Sequence, residues 1–101
     1  MSMGEARRPK EVIPTDDYLH SRAALRDTPE TQRVAAALEG IAAARPYAVP
    51  MIGDTVVRVL RARAYGEYPA LRLFYSVDDE AVRFLRIEHY DPMVVEDEKT
   101  A

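Results

Sequence analysis

From Thr55 onward the chain reads as three β-rich segments separated by short turns. Thr55–Tyr65 (TVVRVLRARAY) breaks at Gly66, and Ala70–Val77 (ALRLFYSV) breaks at Asp78-Asp79. Ala81–Tyr90 (AVRFLRIEHY) is stopped by Asp91-Pro92. Connections this short cannot carry a crossover, so sequential strands must lie antiparallel. The C-terminal half is therefore predicted to be a β-meander. A sheet with one apolar face is stable only when another layer covers that face.

The N-terminal half supplies the cover. Thr15-Asp16-Asp17 offers an N-cap with two acids in the first helical turn. A first helix is expected from there to about Arg26, with Leu19 and Ala23 inward and Tyr18 and Leu25 flanking. Thr28-Pro29-Glu30 starts a second helix, and Arg45-Pro46 ends it. Val34, Leu38 and Ile41, with Ala37 and Ala42 alongside, form its predicted apolar stripe. Before both helices, Lys10–Ile13 can form a short edge strand closed by Pro14. The expected fold class is α+β, two helices on an antiparallel meander, in a single domain over residues 10–92. Residues 1–9 are expected to be a flexible tail and residues 93–101 an acidic one.

A two-residue turn at Asp78-Asp79 predicts a register: Val77 opposite Glu80, Tyr75 opposite Val82, Leu73 opposite Phe84 and Leu71 opposite Arg86. One face of the hairpin is then Leu71, Leu73, Tyr75, Val77, Val82 and Phe84, the predicted core. The other carries Arg72, Phe74, Arg83, Leu85, Ile87 and His89. A candidate site gathering Arg72, Arg83 and His89 follows from that register.

Composition narrows the functional classes. The 101 residues contain no cysteine, so disulfides and cysteine-based zinc sites are excluded, and a reducing cytoplasm is the expected compartment. No apolar run is long enough to cross a bilayer, and no membrane partner is expected. The net charge is −3, yet arginines concentrate in the strand segments (Arg58, Arg61, Arg63, Arg72, Arg83, Arg86) while acids concentrate in turns and at the C-terminus. A locally basic sheet on an acidic protein is the outcome. There is no phosphate-binding glycine loop, nucleophile elbow, zinc-protease helix or dinucleotide fingerprint. His20 and His89 lie far apart without an acidic cluster between them, so no metal or other cofactor is expected.

The run from Pro69 to Tyr90 resembles the C-terminal signature of the RelE/ParE toxin superfamily. The likeness rests on Arg72-Leu-Phe-Tyr75, the acidic turn Asp78-Asp79, the apolar strand Ala81–Ile87 and His89, in that order and spacing. The preceding two helices and arginine-rich strand also follow the family's order, so the likeness spans roughly Glu30 to Asp91. It implies a toxin held inactive by a cognate antitoxin, acting either as an mRNA interferase at the ribosome or as an inhibitor of DNA gyrase. In the RNA-cleaving branch it implies Arg72, His89 and Tyr90 as catalytic residues, with Arg61 and Arg63 on the substrate; the predicted register adds Arg83 as a substrate contact on the same face. Arginine would hold the phosphate bidentately, and histidine would exchange protons near neutrality. Two features depart from that branch: the overall charge is acidic, and lysine occurs only at Lys10 and Lys99, near the termini. The competing class is a non-enzymatic interaction module on the same scaffold, with an exposed strand edge for pairing to a second copy.

Overall fold

A computed structural model describes residues 10–91. The two tails expected from the sequence, residues 1–9 and 93–101, lie outside the described residues. The elements are β1 (Glu11–Pro14), α1 (Asp16–Ala23), α2 (Pro29–Ala44), β2 (Arg58–Ala62), β3 (Leu71–Val77) and β4 (Ala81–His89). The strands form one four-stranded sheet in the order β1-β4-β3-β2. β2, β3 and β4 are the antiparallel meander. β1 joins it parallel to β4, with Glu11 opposite Ala81 and Pro14 opposite Phe84, so the first and last strands are neighbours.

Both helix starts follow the sequence signals. Thr15 Oγ1 accepts the Tyr18 N–H at 3.2 Å, and Thr28 Oγ1 accepts the Thr31 N–H at 3.1 Å. Thr15 also donates to the Phe84 carbonyl at 2.9 Å, which ties the β1–α1 corner to β4. α1 packs against β4, and α2 lies across β3 and β2 on the same face.

The inward stripes differ from the expectation. On α1 it is Tyr18 that is buried, joined by Leu25 just beyond the helix, while Leu19 is 52% exposed. On α2 the buried residues are Thr31, Ala35, Leu38 and Ala42, at spacings of four, three and four. Ile41 is 44% exposed. Small residues at the contact let the helix lie close to the sheet, so the true stripe sits one residue round from the bulkier one. Tyr18 packs on Phe84 with ring centroids 5.1 Å apart, and its hydroxyl donates to Glu39. Arg22 donates to the same carboxylate at 2.8 Å and so binds α1 to α2.

The hairpin register also differs, for two reasons. Asp78 Oδ1 accepts the N–H groups of Glu80 and Ala81, both at 2.9 Å, and Asp78 N–H donates to the Ala81 carbonyl. This side-chain turn spans 78–81 and makes Val77 face Val82 and Tyr75 face Phe84. Past that point the ladder shifts, with Phe74 opposite Arg86 and Leu85 left as a bulge. Leu73 then faces Ile87, Arg72 faces Glu88 and Leu71 faces His89. Of the expected core residues, Leu71, Leu73, Tyr75, Val82 and Phe84 are buried and Val77 is half-buried, and the bulge adds Ile87 at 1% exposure. Tyr75, fully buried, donates its hydroxyl to the Pro46 carbonyl at 2.8 Å.

Candidate functional site

The bulge decides which charged groups of β3 and β4 meet. Cross-strand partners share a face, so Arg72 and Glu88 project together from the side of the sheet away from the helices. Arg86, two residues before Glu88, lies on that side with Phe74. Glu88 Oε2 accepts from Arg72 Nε at 2.7 Å and lies 2.6 Å from Arg72 Nη2. Its other oxygen accepts from Arg86 Nε at 2.8 Å. One carboxylate thus holds two guanidinium groups, one on each oxygen.

Aromatic rings complete the arrangement. The Arg72 guanidinium carbon stands 5.4 Å from the Phe74 ring and 5.4 Å from the Tyr90 ring, within cation–π range of both. Tyr90 follows the end of β4, and its N–H donates to the Ala70 carbonyl. Arg61 of β2 sits directly opposite Arg72 and is exposed. Burial pushes the Glu88 carboxyl up, but the hydrogen bonds from Arg86 and Arg72 outweigh it and hold the group below its ordinary range. Arg86 is raised by its hydrogen bond to Glu88 and by that carboxylate's charge.

The expected grouping of Arg72, Arg83 and His89 does not form. His89 faces Leu71 and turns towards the helix layer. Its Nε2 accepts the backbone N–H of Arg26 at 3.2 Å, just past the end of α1. That contact requires Nε2 to be unprotonated. Burial, followed by the charge of Arg26, lowers the His89 pKa below its ordinary value. Beside it lies a small cavity of about 130 Å³ lined by Ser21, Ala24 and Leu25 from the helix side and by the β4 segment Arg86–His89. Ser21 Oγ there accepts the Ile87 N–H at 3.0 Å, close to the bulge. Arg83 shares the open face with Arg72 but sits opposite Ser76 and pairs with Asp78. Ser76 is four residues along β3 from Arg72, which is roughly 13 Å. Arg63 lies one residue past the end of β2 and is exposed.

Of the six residues singled out from the sequence, the structure brings Arg72, Tyr90 and Arg61 together. It leaves Arg83 at the far end of the face and His89 on the opposite one. Glu88, Arg86 and Phe74 are the participants that sequence reasoning missed. Their signal was the alternation Arg86, Glu88, Tyr90, legible once the bulge is placed. Among the described residues no three His, Asp or Glu side chains cluster as metal ligands, and no helix is long and apolar enough to cross a membrane.

No protein-family model matches the chain, and no curated protein matches it significantly. Among solved structures, a chain of the toxin–antitoxin complex RelBE2 from Mycobacterium tuberculosis aligns with a TM-score of 0.56 and 23% identity. The alignment covers 82% of this chain and 100% of that one. The fold is RelE-like. Within the RelE-like fold, the described arrangement gives an open sheet face built on Arg72 and a helix-side corner built on His89.

Proposed function

We propose that this chain is the toxin subunit of a toxin–antitoxin pair, and that it acts by binding its target through the open sheet face rather than by cleaving RNA. The RelE-like fold, shared with a chain of a toxin–antitoxin complex, supports the first part. The second part rests on one observation: Arg72 and His89 lie on opposite faces of the sheet. Metal-free RNA cleavage needs one group to take the 2′-hydroxyl proton and another to protonate the leaving oxygen, both poised near neutral pH. Beside Arg72 neither the carboxylate nor the guanidinium groups meet that need, which leaves the Tyr90 hydroxyl alone for one of the two roles. Glu88 is held ionised by two arginines, which makes it a weak base. Both histidines are elsewhere, His20 on α1 bonded to the Asp16 carbonyl and His89 bonded to Arg26. Arginine stays protonated at any physiological pH.

What the face offers is recognition: fixed cations flanked by aromatic rings, with exposed Arg61 beside them. This favours the second of the two activities implied by the family resemblance, inhibition of DNA gyrase by a docked toxin. A cognate antitoxin would relieve it by covering the same face. Regulated expression in a bacterial host tests the reading through growth, transcript mapping and a DNA-damage reporter. The expected result is growth arrest with uncut transcripts and a raised DNA-damage signal, relieved on co-expression of the cognate antitoxin. Transcript cleavage that disappears in Arg72→Ala, or no arrest at all, would overturn it.

A further inference from the structure

The open face already holds a carboxylate, and that carboxylate is its own. We infer that Glu88 is an internal competitor: it occupies the anion seat between Arg72 and Arg86, and an acidic segment of a protein partner takes that seat by displacing it. The inference deepens the binding reading above and rests on it.

Three observations carry it. The two guanidinium groups approach Glu88 from different sides, each on its own oxygen, at 2.6–2.8 Å. Their spacing is therefore set for one two-oxygen anion. Glu88 and Arg72 each keep 26% side-chain exposure and Arg86 keeps 59%, so the seat opens to solvent and an incoming group can reach it. Finally, Phe74 and Tyr90 flank Arg72, each with its ring centroid 5.4 Å from the guanidinium carbon, so Arg72 has contacts that do not involve Glu88. Release of Glu88 would leave Arg72, Arg86 and neighbouring Arg61 as a positive cluster, with Asp17 the acid that still acts on Arg86. An Asp or Glu side chain is the direct chemical replacement for the group displaced, and the two rings suit apolar residues flanking it in a peptide. Until a partner arrives, Glu88 offsets part of this positive charge and discourages unselective anion binding.

The test uses the full chain and two labelled probes, hexaglutamate and a short oligouridylate, with binding read by fluorescence anisotropy at low ionic strength. The Arg72 and Arg86 side-chain N–H resonances, assigned by NMR, report where each probe sits. Glu88→Gln keeps the shape and removes the charge, and it is expected to bind hexaglutamate about five- to tenfold more tightly than the parent. Glu88→Asp keeps the charge, but one methylene shorter it cannot hold both arginines, so it is expected to fall between the two. Glu11→Gln, an exposed acid on β1, controls for net charge and is expected to change little. Adding Arg72→Ala to Glu88→Gln should abolish the gain. No gain in either Glu88 variant would overturn the inference, and so would a gain that survives loss of Arg72. A larger gain for oligouridylate than for hexaglutamate would overturn the acidic-protein assignment in favour of a nucleic acid. The assay reads binding by the isolated chain. Its failure is therefore distinct from a failure to arrest growth on expression.

Discussion

Replacing His89 with alanine separates a structural histidine from one that works on a substrate. In the folded chain Nε2 accepts the Arg26 N–H at 3.2 Å and so closes the end of α1 against β4. A neutral hydrogen bond contributes about 0.5–1.5 kcal/mol, and this one is solvent-accessible, which puts it near the lower end, about 0.5–1 kcal/mol. For a domain of this size the expected fall in Tm is about 2–8 °C. The effect also has a pH signature. The folded-state pKa of His89 is lowered by burial and then by Arg26. Above the ordinary imidazole value the ring is neutral in both states and its contribution is complete. As the pH falls below that value the unfolded chain takes up the proton first, and stability drops until the folded-state pKa has been passed. Thermal and urea unfolding at about pH 7.5 and about pH 5.5 bracket the unperturbed value of about 6.5. The parent should lose stability between the two, and His89→Ala should start lower and lose less. Equal Tm values at the higher pH, or an equal loss in both proteins, would refute this role for His89.

Other substitutions probe the remaining features. Tyr75→Phe removes the hydroxyl that buried Tyr75 donates to the half-buried Pro46 carbonyl. It should cost about 1–2 kcal/mol, read as a lower urea midpoint at unchanged slope. Ile87→Ala tests the bulge, because only the shifted ladder buries this residue at 1% exposure. A loss of about 2–5 kcal/mol is expected, whereas an Ile87 on the open face would cost far less. Asp78→Ala should lower Tm and flatten the acid limb of the stability profile. The Glu80 and Ala81 N–H groups, then Arg83, hold the Asp78 carboxyl at about 2. Its contribution is therefore present above the ordinary carboxylate value and lost as the pH falls through about 2.

Much of the fold was legible because its signals are local. The Thr15 and Thr28 caps, Pro29 and the Arg45-Pro46 stop are each written in a few adjacent residues; both helices begin there and α2 ends there, whereas α1 stops at Ala23, short of the expected Arg26. The alternation of Leu71, Leu73 and Tyr75 correctly marked the core face of β3. What the sequence hid was the pairing of β4. Asp78-Asp79 reads as a two-residue turn, but the Asp78 side chain organises a longer one. Phe84-Leu85-Arg86-Ile87 gives no local sign that Leu85 steps out of the ladder. Each departure moves side chains along or across the sheet. Together they turned Ile87 and His89 inward and Glu88 towards Arg72. The candidate site was half legible for the same reason. Arg72 and Arg61 depend little on the β4 register, whereas Tyr90 and His89 depend on it entirely. On α2 the error had a different source: large Val34 and Ile41 drew the stripe, while small Ala35 and Ala42 make the contact.

The central claim is that target recognition belongs to the face bearing Arg72 and not to the side bearing His89. Regulated expression of Arg72→Ala and His89→Gln, at matched levels of folded protein, tests it most directly. The side-chain amide introduced by His89→Gln would retain an oxygen able to accept the Arg26 N–H, so the α1 corner is preserved. Arg72→Ala is expected to abolish growth arrest and His89→Gln to leave it intact. A folded His89→Gln chain that no longer arrests growth, or an Arg72→Ala chain that still does, would contradict the account.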